Sequence, residues 1–319
     1  MSILNSFHLN NYKYLFFDIF YKNNNIFLIL PAYVEPFNPD KINIIINNTI
    51  INNKNLKLSE KHIIPNGETV AVYIYNYESN DNDIQVIVKY ENIIRSFSLQ
   101  NIKIERKHQL ALTTLFKDDY NIFPIFYDYY IKQGVEYFYM YYNGISTPQI
   151  KQLLNLPNVS LIDWNFKYWK NDVTLEHHAQ PGQIHHALYR YGKDISDYMI
   201  FCDLDEYLHI PKYTLREYIG NNKAVDSFGF CNRWSKTLDN NYIKTFPKRF
   251  LTTAKTLPYN HRSKNIHKTD SINTIGIHMA HSYTMQEPKI LINFSLFHFY
   301  NWSKPKRDNK DCKMEIITL

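Results

Sequence analysis

The stretch Tyr198–Glu206 reads YMIFCDLDE and decides the fold of the longer part of the chain. Its first five residues are apolar, which is typical of a buried strand, and the next four are mostly acidic. In open α/β sheets, ligands bind beyond the carboxyl ends of the strands, so we expect the acidic residues at a binding edge. Asp203 and Asp205 are expected to point to one side of an extended chain and to hold a hard divalent cation. Taken alone, the same residues also fit a solvated acidic loop.

The size and composition of the chain limit its possible functions. With 319 residues it is long enough for about two domains. A net charge of +6, without a dense stripe of Lys and Arg, does not indicate a nucleic-acid-binding protein. The three cysteines form neither a metal-binding pattern nor a disulfide framework. We see no signal peptide and no apolar stretch of the roughly 20 residues that span a bilayer, so a cytoplasmic or similarly reducing compartment is expected.

Residues 1–106 are predicted to form a β-rich, sandwich-like accessory domain. Apolar residues alternate with polar ones in 41–46, 69–75 and 83–90, and clusters of Asn, Asp, Gly and Pro separate these runs. Short strands at such spacing are typical of a β-sandwich. No catalytic constellation is visible there, and an accessory or packing role is favoured over sugar binding.

Residues 107–319 show a different rhythm, in which strands alternate with single helices. This alternation predicts a Rossmann-like α/β domain with a mostly parallel sheet that is covered on both faces and binds a nucleotide. The predicted strands are 110–116, 137–142, 159–164 and the apolar run before Asp203, and the predicted helices are 119–133, 146–154, 183–191 and one that opens at Thr214.

Several segments occur in the order found in the family 92 glycosyltransferases. The first four are Lys117–Asp119 after the first strand, GVEYFYMYYN at Gly134–Asn143, Gln183 on a helix, and DLDEY at Asp203–Tyr207. Downstream follow Arg262–Lys264, Gly276–His278 and a histidine-led element at His298–Ser303. Over about residues 108–305 the chain therefore resembles this family.

The resemblance implies a GT-A fold that transfers a sugar from a nucleotide sugar to an acceptor hydroxyl. It implies that Asp203 faces the ribose or the metal, that Asp205 is the main ligand of Mn²⁺ or Mg²⁺, and that His298 is a third protein ligand. The expected donor is a UDP-sugar, with UDP-galactose first, and the expected acceptor is a glycan or glycoprotein. Glu206 orders the turn, contacts the sugar or supports the metal ligands, and His278 is a further supporting residue. The predicted nucleotide-sugar-binding residues are Lys117, Asp119, Asn143, Gln183 and Lys264.

The chain also departs from the family pattern. Tyr142 stands where the family has an Asp, Ile125–Phe126 replaces a Glu-Trp pair, and Ser235–Asp239 replaces a Phe-Gly loop. An inverting transferase needs a carboxylate to accept the proton of the attacking hydroxyl. Asp239 is the candidate base and Asp226 the alternative, although either also fits a turn residue.

Other functions remain open from the residues alone. A nucleotidyltransferase or pyrophosphorylase would need a Gly-rich phosphate loop near residue 117, where the sequence has no Gly. A catalytically inactive, glycan-binding or structural relative with the same fold is the main alternative to the enzyme. The pairs His177–His178 and His185–His186 do not share a helix face and are not predicted to bind zinc. His185 and His186 are predicted to lie on a helix surface or in the acceptor cleft. The oligomeric state stays open.

Overall fold

The computed structural model describes the ranges 4–9, 14–31, 41–51, 57–63, 69–79, 81–103, 107–169, 178–238, 245–285, 287–303 and 313–319. The chain divides into two compact units. Unit one comprises Lys107–Trp164 and Gly192–Leu319, and unit two comprises Ser2–Arg106 and Asn165–Tyr191. Residues 165–191, predicted to be in the second domain, are thus grouped with the N-terminal strands.

The fold is mixed α/β, and strands outnumber helices among the described residues. The helices are α1 (Phe123–Lys132), α2 (Pro148–Leu153), α3 (Ala179–Ala187), α4 (Leu215–Asn221) and α5 (Tyr300–Ser303). The strands of unit two are β1 (Phe7–His8), β2 (Tyr14–Phe16), β3 (Asp18–Lys22), β4 (Asn25–Pro31), β5 (Ile42–Ile46), β6 (Thr49–Ile51), β7 (Lys57–Ile63), β8 (Thr69–Asn76), β9 (Asp83–Tyr90) and β10 (Ile93–Ile102). Those of unit one are β11 (His108–Phe116), β12 (Tyr137–Tyr142), β13 (Val159–Asp163), β14 (Ser196–Phe201), β15 (Glu206–His209), β16 (Ser227–Thr237), β17 (Arg249–Thr253), β18 (Lys264–Lys268), β19 (Ile272–Ile275), β20 (Ala280–Tyr283), β21 (Ile290–Phe299) and β22 (Met314–Thr318).

Unit two is built on an eight-stranded sheet in the order β6-β5-β9-β10-β3-β4-β8-β7. Its pairs are antiparallel except the short parallel contact of β10 with β3. The inward residues of β5 and β9, such as Ile44 and Val86, share one core with Leu28 of β4. The strands predicted at 41–46, 69–75 and 83–90 are confirmed as β5, β8 and β9.

Helix α3 packs inside unit two and is buried along its whole length. The buried carboxylate of Asp18 accepts hydrogen bonds from His186 Nε2 (2.8 Å) and Arg190 Nη1 (2.5 Å). His185 is also fully buried, and its Nδ1 donates to the Pro181 carbonyl over 2.7 Å. The prediction of a helix surface was therefore wrong for His185 and His186, because the strands of unit two cover this helix. His177 lies outside the described residues.

Unit one is built on a ten-stranded sheet. The neighbours β13-β12-β11-β14 are parallel, and β18, β16, β17 and β22 continue the sheet with antiparallel pairs. Strand β21 pairs in parallel with β16 and antiparallel with β15. The expected run of parallel neighbours is thus limited to β13-β12-β11-β14, because the next neighbour, β18, pairs antiparallel with β14. The parallel pair of β16 with β21 is separate from this run.

The helix signals in unit one agree with the structure. The Thr147 side chain caps α2 by accepting a hydrogen bond from the Ile150 N–H (3.4 Å), and Pro148 occupies the first turn. Thr214 and Glu217 form a reciprocal capping box at the start of α4. Strands β11, β12 and β14 are parallel neighbours in register, so that their carboxyl ends meet at one edge of the sheet.

We expect the change Asp18→Asn to destabilise the protein by about 3 kcal/mol, because it leaves the partly buried Arg190 and the buried His186 without their carboxylate. Urea denaturation followed by circular dichroism measures this. The control is Lys41→Gln, which breaks an exposed pair with Glu91 and should change the free energy of unfolding by less than about 1 kcal/mol. Equal losses in the two variants would contradict the assignment.

Candidate active site

The acidic segment after β14 is a tight and largely buried turn. The Asp203 N–H donates to Glu206 Oε2 (2.8 Å), and the Glu206 N–H donates back to the Asp203 carbonyl (3.1 Å). Leu204, Asp205 and Glu206 are all buried, whereas the Asp203 side chain remains 37% exposed. The residues therefore do not form a solvated loop.

A buried lysine compensates part of this negative charge. Lys264 Nζ lies 3.2 Å from Asp203 Oδ2 and 3.4 Å from Glu206 Oε2, and its side chain is only 4% exposed. The antiparallel pairing of β18 with β14 places it there, since Asn265 lies opposite Phe201. Burial lowers the pKa of Lys264, but the charges of Asp203 and Glu206 outweigh burial and raise that pKa.

The pKa of the Glu206 carboxyl depends on burial and on several neighbouring charges. Burial raises its pKa, Lys264 opposes that rise, and Asp203 adds to it, which leaves the pKa of Glu206 at about 7. His298 also lowers this pKa. The contact of Glu206 with Lys264 ties the acidic turn to β18.

His298 faces the acidic turn from β21. Glu206 and His298 lie opposite each other in the β15–β21 ladder, and the Phe299 N–H donates to the Asp205 carbonyl over 2.8 Å. His298 Nε2 lies 3.5 Å from Asp205 Oδ2, and its Nδ1 lies 3.6 Å from Glu206 Oε1. Burial lowers the pKa of His298, but the charge of Asp205 and the other carboxylates outweighs it and raises that pKa.

Asp119 joins the site from the loop after β11. Burial and then the charge of Asp205 raise the pKa of Asp119 to about 6, with a smaller contribution from Asp203. Asp119 Oδ1 accepts a hydrogen bond from the Lys117 N–H over 3.2 Å, and the Lys117 side chain is exposed. Because β11 and β14 are parallel neighbours, Asp119 follows its strand at the same sheet edge as Asp203 and Asp205.

The other predicted residues occupy varied positions. Asn143 follows β12 and is buried, and its Nδ2 donates to the Trp164 carbonyl over 3.0 Å. Gln183 is buried on α3, in unit two. His278 Nδ1 donates to the Ser263 carbonyl (3.3 Å), and burial together with the charge of Lys264 lowers the pKa of His278 to about 4.

Neither candidate for a catalytic base lies in the described part of this site. Asp239 falls outside the described residues. Asp226 is described, but its carboxylate accepts a hydrogen bond from the Lys289 N–H (2.9 Å), and its carbonyl accepts one from the Lys268 N–H (2.8 Å). Lys268 lies opposite Tyr198 near the start of β14, so Asp226 is at the sheet edge opposite to the acidic turn.

Asp205 and His298 are the two gathered side chains that could share a metal ion. In the described part of the chain, no group of three His, Cys, Asp or Glu side chains is arranged to hold one. A carboxylate oxygen and an imidazole nitrogen nevertheless suit Mn²⁺ or Mg²⁺ when substrate phosphates and water complete the coordination. The pair fits an ion that is shared with a phosphate-bearing ligand, and it does not fit a closed structural metal site.

Three residues without a predicted role also shape the site. The Tyr130 hydroxyl donates to the Glu206 carbonyl (2.8 Å) and accepts from the Leu208 N–H (3.1 Å), which fixes the backbone on both sides of Tyr207. The Trp234 ring centroid lies 4.6 Å from that of His298, and the Arg262 guanidinium carbon lies 5.2 Å from the Trp234 ring centroid. Only the position of Arg262 within the R-x-K segment could have indicated its importance.

The fold and the site define an α/β enzyme with an acidic, lysine-compensated site at the carboxyl edge of parallel strands. The family model of glycosyltransferase family 92 matches residues 106–314, and the chain belongs to that family. It is therefore a glycosyltransferase, an activity that implies a nucleotide-sugar donor and a glycan acceptor. No curated protein matches the chain. Among the described residues, we find no helix with the length and apolar character that crossing a membrane requires.

We expect Lys264→Met to destabilise the protein by about 3 kcal/mol, because it leaves the buried Glu206 without its cation. Thermal and urea unfolding measure the loss. The control is Lys132→Met, which removes an exposed partner of Asp128 on α1 and should leave the midpoint nearly unchanged. A Lys264→Met protein as stable as this control would refute the compensating role of Lys264.

Proposed function

We propose that this glycosyltransferase uses a UDP-sugar, with UDP-galactose as the first donor to test, and that its activity requires Mn²⁺ or Mg²⁺. Unit one would be a GT-A domain, and the acceptor would be a hydroxyl of a glycan or glycoprotein. The observation that carries the proposal is the facing pair of Asp205 and His298 beside the pair of Asp203 and Lys264. Both pairs lie at the carboxyl edge of the parallel strands, where α/β sheets bind nucleotides.

The donor set supports a metal held by Asp205 and His298. The β15–β21 ladder fixes both residues before any ligand binds, because the Asp205 carbonyl accepts the Phe299 N–H. Glu206 lies on the Nδ1 side of His298, from which a carboxylate orients a metal-binding imidazole. When bound, a divalent cation supplies positive charge to the diphosphate leaving group as the glycosidic bond breaks.

The half-exposed residues of this edge are proposed to hold the nucleoside. The Asp203 side chain is more exposed than the other carboxylates of its turn, so it can accept hydrogen bonds from ribose hydroxyls. Asp119 follows β11 at the same edge, where its carboxylate is proposed to accept hydrogen bonds from the base or ribose. Lys117 and Asn143 follow neighbouring strand ends and remain proposed donor contacts. Gln183 also stays a predicted donor contact.

The transfer is proposed to invert the anomeric configuration. The acceptor oxygen attacks the anomeric carbon, the bond from that carbon to the diphosphate oxygen breaks, and the hydroxyl proton passes to a carboxylate. Asp239 is the proposed base. The support is its place in the segment that follows β16, the strand that carries Trp234 next to His298.

We expect Asp205→Ala to lower transfer at least about a hundredfold, because it removes one of two metal ligands and the charge stabilisation that the ion gives the leaving group. The assay measures release of UDP from UDP-galactose and other nucleotide sugars with Mn²⁺ or Mg²⁺. Chelation by EDTA should abolish turnover, and adding Mn²⁺ should restore it.

The matched control is Asp128→Ala, which changes a partly exposed carboxylate on α1. It should keep full activity, and metal-free thermal unfolding should show that the Asp205→Ala protein is folded. Full activity of Asp205→Ala would refute the metal assignment. A folded wild-type protein that binds and turns over no UDP-sugar with either ion would refute the proposed donor.

A further inference from the structure

In its described part, the acidic site offers few positively charged side chains to a bound diphosphate. Four carboxylates, those of Asp119, Asp203, Asp205 and Glu206, influence one another there, and Lys264 is buried between two of them. The Lys264 side chain is only 4% exposed, and its charge is already paired with the two carboxylates that it contacts. A nucleoside diphosphate that enters this edge brings further negative charge, so an exposed cation beside the metal pair would favour its binding.

Arg262 is an exposed cation two residues before Lys264. Its guanidinium carbon lies 5.2 Å from the centroid of the Trp234 ring, which is within the range of a cation–π contact. Trp234 in turn contacts His298, with 4.6 Å between the ring centroids. Arg262 and His298 therefore both contact the Trp234 ring. In the part of the chain that the structure describes, no carboxylate forms an ion pair with Arg262.

The backbone of Arg262 gives a second indication. Its φ is 56°, in the left-handed region where a residue with a Cβ is uncommon and strained. The turn is fixed nearby, because the Ser263 hydroxyl donates to the His278 carbonyl over 2.9 Å and accepts from the Asn260 N–H over 3.3 Å. A glycine would adopt this conformation without strain. The arginine side chain is therefore present despite a local cost.

We propose that Arg262 binds the diphosphate of the sugar donor and that Trp234 is the residue that positions its guanidinium. This inference rests on the proposed function, because it concerns the same site. A planar guanidinium offers paired N–H donors that match two phosphate oxygens. Lys264 then neutralises the protein's own carboxylates, and Arg262 contacts the substrate.

The test measures binding of two probes, inorganic pyrophosphate and UDP, by calorimetry with Mn²⁺ at fixed ionic strength. Arg262→Gln should weaken both about tenfold, and Arg262→Lys should weaken them less because it keeps the charge. Trp234→Leu should also weaken both. Added to Arg262→Gln it should cause little further loss, because a residue that acts through Arg262 has no effect once Arg262 is gone.

The matched control is Lys212→Gln. Lys212 is also an exposed cation with a left-handed backbone, at φ of 70°, and it lies beyond the end of β15 that is remote from the acidic turn. Its change should leave both affinities unaltered. Equal affinities of wild type and Arg262→Gln would overturn the role of Arg262 and leave the proposed donor intact. Wild-type protein that binds pyrophosphate but not UDP would overturn the donor instead, and binding of neither probe would overturn both.

Discussion

The buried contact of Lys264 with Asp203 and Glu206 is the interaction on which the site depends. Asp203, Asp205 and Glu206 follow β14 within four residues, and the last two are buried. A buried charge without a partner is strongly unfavourable. The compensating cation comes from β18, which pairs antiparallel with β14. The change from parallel to antiparallel pairing at β14 therefore has an electrostatic consequence, because it places a lysine beside the acidic turn.

The rest of the site follows from the backbone that this contact holds. The chain turns from β14 into β15, and the β15–β21 ladder then places His298 opposite Glu206. The Tyr130 hydroxyl binds the Glu206 carbonyl and the Leu208 N–H, so helix α1 fixes the same segment from another side. Asp205 and His298 thus obtain their separation of 3.5 Å from sheet register and core packing. Under the proposed function, a metal ion would enter a site that is already arranged.

Local patterns were predictable from the sequence, and long-range pairings were not. The alternation in β9 and the capping box of Thr214 with Glu217 are encoded within a few residues, so both predictions are confirmed. Lys264 could be placed near the site through the R-x-K resemblance, but its burial depends on β18 lying next to β14, 61 residues away along the chain. The burial of His186 also depends on a partner that is distant along the chain. Its partner Asp18 is 168 residues away, and nothing around the histidine indicated that strands would cover α3.

The proposed roles of Lys264 and Arg262 would account for two cations in one short segment. A compact ammonium can lie between two carboxylates in a space where a guanidinium fork would not fit without displacing one of them. The planar guanidinium suits phosphate oxygens better and needs room to approach them, which the exposed turn at Arg262 provides. The stability of the acidic turn is thereby independent of substrate. Release of the nucleoside diphosphate after transfer would then leave Asp203 and Glu206 still paired with Lys264, and the site ready for the next donor.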